Sequence, residues 1–261
     1  MIRWVFVFAL FAGSAHADTI TLASTTSVEN TGLLAKILPL FTRKTGTVGN
    51  VLALGTGQAL AVAARGDADL VLVHDPSAEA AFIAAGHGFN RREIAWNDFL
   101  LVGPDSDPAR IRGLATTTAA FQAIAATGTI FISRGDSSGT DALEKRLWKA
   151  AGIVPEGAWY RDIGGSMGAA LNMAASVDAV TLVDRGTWIS FRNRRKLVQL
   201  VSGDPALVNR YNVIELDNGT HASKKAIEAQ ALANWLVSPA GQSAIGAYQI
   251  GGETLFHPSA K

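Results

Sequence analysis

Val48-Gly49-Asn50-Val51-Leu52-Ala53-Leu54-Gly55-Thr56-Gly57-Gln58-Ala59-Leu60-Ala61-Val62-Ala63-Ala64-Arg65 passes from a strand through a short glycine-flanked loop into a helix. Leu70-Val71-Leu72-Val73 then follows as an apolar run short enough for a buried strand. Strand 48–54, helix 58–65 and strand 70–73 make one β-α-β unit, and the same rhythm extends in both directions. Upstream, Thr19–Ala23 reads as a strand, and Leu33, Leu34, Ile37, Leu38 and Phe41 recur at helical spacing over Thr31–Lys44. Downstream come helix Ser77–Ala85 and strand Phe99–Val102, then strand Thr129–Ile132, helices Thr140–Ala151 and Ala169–Ala175, and strand Val180–Val183. Strand Tyr211–Leu216 and helix Ser223–Leu236 close the pattern.

Short strands alternating with helices predict an α/β fold with parallel or mixed sheets flanked by helices. The chain has 261 residues, and single cores stop growing near ~250 residues. Two lobes are therefore expected, with joints at Gly103-Pro104 and Asn209–Asn212. That division makes 18–102 and 210–261 one discontinuous lobe and 103–209 the other.

The composition is 48% hydrophobic and 17% charged, with no cysteine and a net charge of +1. Disorder is excluded, because disordered chains combine low hydrophobicity with high net charge. Without cysteine there is no disulfide framework, thiolate metal site or cysteine nucleophile. The short basic runs Arg91-Arg92 and Arg192–Lys196 read as solvated faces, and no nucleic-acid surface is expected. At the start of the chain, Arg3 precedes the apolar run Trp4–Ala12, and Ala15-His16-Ala17 fits the small-x-small cleavage pattern of a secretory signal peptide. The run is well below the ~20 residues of a spanning helix. Residues 1–17 are thus expected to direct export, leaving a soluble protein that begins at Asp18.

In open α/β sheets ligands sit beyond the carboxyl ends of strands. The strand assignments place four loops there: Ser24-Thr25-Thr26-Ser27, Gly55-Thr56-Gly57, Ser133-Arg134-Gly135-Asp136-Ser137-Ser138-Gly139-Thr140, and Gly164-Gly165-Ser166-Met167-Gly168. All are rich in hydroxyls and glycine. Hydroxyls and backbone N–H groups at helix starts are donors, and the helix dipole favours negative charge there. Arg134 adds a cation with a planar fork of donors. Taken singly each loop is a common helix cap; taken together they predict an anion site.

Three other readings are weaker. Gly55-Thr56-Gly57 is not a dinucleotide fingerprint, because Leu60 stands where its third glycine belongs. His74, His87, His221 and His257 lack the paired spacing of metal ligands and read as surface or core residues, and Met167 and the tryptophans read as packing. Gly135-Asp136-Ser137-Ser138-Gly139 matches the nucleophile elbow of serine hydrolases, which would make Ser137 the nucleophile, Asp184 the acid and His221 or His257 the base. That reading leaves Arg134 and the other hydroxyl loops without a task.

The chain resembles the periplasmic oxyanion-binding components of ABC importers, most closely the TupA-type tungstate-binding proteins. The likeness rests on Ala23-Ser24-Thr25-Thr26-Ser27, Gly55-Thr56-Gly57-Gln58-Ala59-Leu60, Leu72-Val73-His74, Ser133–Thr140 and Thr181-Leu182-Val183-Asp184-Arg185, in order along most of the chain. Ser24 stands where the family's signature has threonine. The resemblance implies a two-lobed periplasmic binding protein fold (type II-like), tungstate or molybdate held in the cleft, and delivery to an ABC permease in the inner membrane. It implies no enzymatic activity, cofactor or nucleic-acid partner, and a monomer. Within the donor loops the ligand-binding residues are expected to be Thr25, Thr26, Ser27, Thr56, Gly57, Ser133, Arg134, Ser137, Ser138, Gly139 and Thr140. Asp136 is expected to orient Arg134 without touching the ligand. Tungstate and molybdate carry no proton at neutral pH, so donors without a free carboxylate suit them, whereas phosphate keeps a proton and favours an acceptor. Asp75, after the third strand, tests that argument, because in the cleft it would favour a protonated oxyanion. Molybdate, phosphate and sulfate are the alternatives within this class.

Overall fold

A computed structural model describes residues 18–217 and 224–260; the expected signal segment and His221 lie outside them. The chain runs β1 (Thr19–Thr25), α1 (Thr26–Thr31), α2 (Leu33–Thr45), β2 (Val48–Leu54), α3 (Thr56–Ala64), β3 (Leu70–Val73), α4 (Pro76–Ala84) and β4 (Gly88–Pro104). It continues through α5 (Thr117–Thr127), β5 (Phe131–Ser133), α6 (Gly139–Ala150), β6 (Tyr160–Asp162), α7 (Met167–Val177), β7 (Val180–Asp184), α8 (Arg185–Ser190) and β8 (Leu197–Val201). The last part holds β9 (Val208–Leu216), α9 (Lys224–Val237), α10 (Pro239–Gly246) and the short strands β10 (Gln249–Ile250), β11 (Glu253–Thr254) and β12 (His257–Pro258).

The sheet is mixed. β1 is parallel to β2 and β3, and β5 is parallel to β6 and β7, as βα crossovers require. β9 and β4 run antiparallel between the two parallel sets. β4 pairs with β9 from Gly88 to Asp98, then takes β7 and β8 as partners from Phe99 onward. The buried side chains divide at the same place. Leu34, Phe41, Ile94, Ala95, Tyr211 and Leu232 belong to one core, and Phe99, Leu101, Phe121, Phe131, Trp148 and Leu207 to another. Leu100 and Val102 point to the opposite face, against Ile132, Leu171 and Val183, as the two-residue period of a strand dictates. Gly103-Pro104, the expected joint, lies inside β4. Gly103 is small there for packing, because a Cβ would come within 2.7 Å of Leu200 Cδ1.

The first half of β4 was not legible as a strand, because ion pairs replace apolar residues there. Arg91 Nε lies 2.5 Å from Glu79, and an Arg92 amino group 2.6 Å from Glu215. Both glutamates are buried, and Asn212 donates to Glu79 at 3.0 Å. Arg91 is exposed and Arg92 half-buried, and besides any solvated face both supply the counter-charge for two buried carboxylates.

A third buried glutamate sits in the other half. Glu144, on α6, accepts from Tyr160 Oη at 2.8 Å and from Trp148 Nε1 at 3.2 Å. Burial pushes its carboxyl up to about 7, against the hydrogen bonds from Tyr160 and Trp148. A carboxyl raised on folding stabilises fully below its unfolded value of 4.5 and loses that contribution as the pH rises through 7. The loss amounts to ~3 kcal/mol at most. Glu144→Gln cannot ionise and should be spared it. Between pH 5 and 8 the melting temperature of the parent should fall by about 6–12 °C relative to the variant, read from thermal melts at both pH values. A gap that does not change with pH would refute the assignment.

Candidate functional site

The cleft between the two halves holds a cavity of about 650 Å³. One wall is Thr25, Thr26, Ser27, Leu54, Gly55, Thr56 and His74. The other is Arg134, Asp136, Ser138, Gly139, Thr140, the loop Gly164–Gly168, and Asp184, Gly186 and Thr187. Five helices, α1, α3, α6, α7 and α8, begin at this cavity. Each follows the carboxyl end of a strand, which is where the β-α order puts a helix start.

The caps show what these helix starts offer. Thr25 accepts from Val28 N, Ser138 from Asp141 N and Ser166 from Ala169 N. A capping hydroxyl accepts through a lone pair and keeps its own O–H proton, so the same oxygen that satisfies its helix can also donate to a ligand. At α3 the cap is Gly55, which supplies no side-chain bond, and the Thr56 hydroxyl is buried without a partner among the described residues. It stands in the first turn of α3, at the positive end of the helix dipole.

Arg134 is the only cation among the described lining residues. Its side chain is 13% exposed and pairs with Asp136. The guanidinium also reaches Thr140 Oγ1 and the Gly165 carbonyl, both at 3.4 Å. Burial alone would raise the Asp136 carboxyl. Hydrogen bonds from Ser138 and the charge of Arg134 outweigh that and hold it below the ordinary carboxylate range. The second lining acid, Asp184, accepts from Thr187 N at 2.8 Å and from Thr187 Oγ1 at 2.6 Å. Asp75 does not line the cavity; it caps α4 through Ser77 N and Ala78 N and lies 3.7 Å from Arg146. Each lining carboxylate is thus engaged, while hydroxyls and helix N–H groups face the cavity.

Of the residues expected from sequence, Thr25, Thr26, Ser27, Thr56, Arg134, Asp136, Ser138, Gly139 and Thr140 meet in this one cavity. Three others are placed elsewhere. Gly57 is exposed in the first turn of α3. Ser133 is fully buried, close to the Glu144 carboxyl on the far side of β5. Ser137 is exposed, in a left-handed turn (φ 58°), because the loop must reverse there to deliver Ser138 to the start of α6. Among the described residues the hydrolase constellation is not assembled. Asp184 is committed to capping α8, and His257 is stacked on Trp96 at 4.1 Å in β12. Ser24, the departure in the signature loop, turns into the sheet and donates to the Leu72 carbonyl at 3.0 Å.

The fourth loop, Gly164–Gly168, lines the cavity as grouped in the sequence, whereas sequence reasoning missed the helix start at Arg185 as part of the site, and above all His74. His74 is 6% exposed, its Nε2 3.0 Å from Ser27 Oγ. Burial pushes the imidazole down to about 4, so it is neutral at neutral pH. Its signal was available: it follows directly on β3, at the strand end where a ligand loop belongs.

This architecture has known counterparts. A PBP superfamily domain matches residues 12–240. The tungstate-binding protein TupA of Peptoclostridium acidaminophilum is 42% identical over 93% of this chain and 86% of its own length. Among solved structures, the tungstate-binding protein TupA of Desulfovibrio alaskensis is 40% identical, superposes with a TM-score of 0.86, and is covered over its whole length by 94% of this chain. A tungstate ABC transporter structure from Geobacter sulfurreducens is 39% identical with a TM-score of 0.79, over 88% of this chain and 98% of that one. With likeness of this extent and a cavity built from the same loops that first suggested it, the chain belongs to the PBP superfamily and, within it, to the TupA family.

Proposed function

We propose that this protein is the extracytoplasmic solute-binding component of an ABC importer, binding tungstate between its lobes and passing it unchanged to a membrane permease. The reading is carried by the polarity of the cavity. It offers Thr56, Ser138, Thr140 and Arg134 as side-chain donors, one proton at most from the Thr25–Ser27 pair, whose hydroxyls bond each other and His74, and the N–H groups of the helix starts. Its carboxylates, Asp136 and Asp184, are already bound to Arg134 and Thr187. Tungstate and molybdate bring only acceptors and match such a surface. Hydrogen phosphate brings a hydroxyl that would need one of those carboxylates. Hydrogen bonds to a charged group contribute ~1.5–3 kcal/mol each, and nanomolar binding takes about 12 kcal/mol. Six or seven donors suffice for that after ordering losses, with no metal or other cofactor. The donor residues named come from one chain, so binding as proposed requires no second copy.

Calorimetric titration with tungstate, molybdate, phosphate and sulfate tests this directly. Tungstate and molybdate should bind far more tightly than phosphate, and preference for phosphate would overturn the reading. Arg134→Ala removes the cation and leaves Asp136 unpaired beside the ligand. Breaking such a pair costs ~3–5 kcal/mol, so tungstate affinity should fall roughly 100- to 3,000-fold. A variant within a few-fold of the parent would place the site elsewhere. Export is a separate expectation: residues 1–17 act as a cleaved signal, and the intact mass of exported protein should begin at Asp18. Retention of Met1–Ala17 would refute it.

A further inference from the structure

His74 has no task in the donor set just described, yet it is the side chain on which the most parts of the cleft converge. On one edge its Nε2 lies 3.0 Å from Ser27 Oγ, and Ser27 Oγ lies 2.9 Å from Thr25 Oγ1, so the ring anchors both hydroxyls of the signature loop. The Asn209 side chain lies near the ring as well, and Asn209 Nδ2 donates to Tyr211 Oη at 2.7 Å. Asn209 and Tyr211 belong to β9, the strand that runs along β4 up to the point where β4 changes partners. One face of the ring is tilted against Tyr211, with ring centroids 5.1 Å apart.

From across the cleft comes Gly139, the first residue of α6. A Cβ built on it would lie 2.6 Å from His74 Cε1 and 3.2 Å from Nδ1. Real Cβ atoms do not approach that closely, so α6 can seat on this ring only with glycine there. The ring is bonded to Ser27 and packed on Tyr211, so giving way to a Cβ at 139 would disturb those contacts. Asp75 and Arg146 bridge the same join at 3.7 Å. Seating α6 is what carries Ser138 and Thr140 to the cavity, because they flank Gly139.

We propose that His74 is a positioning residue that couples the signature loop to closure, its edge fixing Ser27 and its face forming the seat for the start of α6. A side chain at 139 would hold α6 off the ring and keep the second lobe's donors from a ligand already held by the first. Loss of the ring nitrogen would instead leave the seat and release Ser27.

The proposal rests on the tungstate reading, and the experiment separates the two. The parent, Gly139→Ala, His74→Phe, Ser27→Ala and the double variant Ser27→Ala/His74→Phe are titrated with tungstate by calorimetry. The change in radius of gyration on adding tungstate is followed by small-angle X-ray scattering. Alanine is the better helix former, so any loss in Gly139→Ala reports the contact and not the helix. Gly139→Ala should bind at least tenfold more weakly and lose most of the compaction. His74→Phe keeps a flat ring, so it should still compact while binding about ten- to a hundredfold more weakly, the effect of one lost hydrogen bond in a buried charged site. Ser27→Ala should behave like His74→Phe, and the double variant should be no worse than Ser27→Ala alone, a coupling that a general loss of packing would not produce. A parent that fails to bind tungstate sinks the functional reading itself. A parent that binds, with Gly139→Ala compacting and binding as it does or with Ser27 and His74 effects that simply add, overturns the role of His74 alone.

Discussion

The molecule depends on one strand serving two sheets. β4 is 17 residues long and takes all its partners by antiparallel pairing, first with β9 and then with β7 and β8. Backbone polar groups must stay paired when buried, so the change of partner between Asp98 and Phe99 cannot leave a gap. Arg185, at the start of α8, grips Asp98 through two bonds of 2.6 and 2.5 Å at that crossing. The cleft follows from this geometry. The strands on either side of the crossing end toward the same space, and the helices that follow them begin there.

Much of this could be read from the residues alone, and the exceptions have physical causes. The bounds of Val48–Leu54 and Leu70–Val73 match the sequence reading; Leu70–Val73 is a fully buried apolar run of four residues, and Val48–Leu54 is a half-buried edge strand ended by its glycine-flanked loop. The helix over Leu33–Thr45 buries the five residues its spacing predicted. By contrast, Gly88–Asp98 carries arginines and a glutamate because its neighbours bury carboxylates, and that compensation is invisible until Glu79 and Glu215 are placed beside it. α5 and β8 went unread as well. Thr117–Thr127 is largely alanine and threonine, with only Ala120, Phe121 and Ile124 as buried apolar residues, so its periodicity is faint.

The site was legible as chemistry and less so as geometry. The hydroxyl-rich loops line one cavity, but sequence could not say which side of a strand end each residue faces. Ser133 and Ser24 look like donors in the sequence and turn inward, where β5 and β1 bury them. His74 looks like a core histidine and turns to the cleft. The distinction between a cap and a ligand donor, which seemed to divide the hydroxyls into two classes, is dissolved by the structure. Ser138 and Ser166 satisfy their helices as acceptors while remaining able to donate.

That double duty separates two clocks. A hydroxyl hydrogen is a rotor that reorients in picoseconds to nanoseconds, whereas relative motion of two lobes takes microseconds to milliseconds. Because Thr25, Ser138 and Ser166 hold their heavy atoms fixed by capping, re-aiming the donors requires only the fast motion. Capture by the first lobe can then proceed at the pace of diffusion, with no rearrangement to wait for. On the closure proposed for His74, escape follows the slow clock, the parting of α6 from the ring beside it. A protein that must hold a scarce solute until it meets its partner gains residence time this way without slowing the encounter.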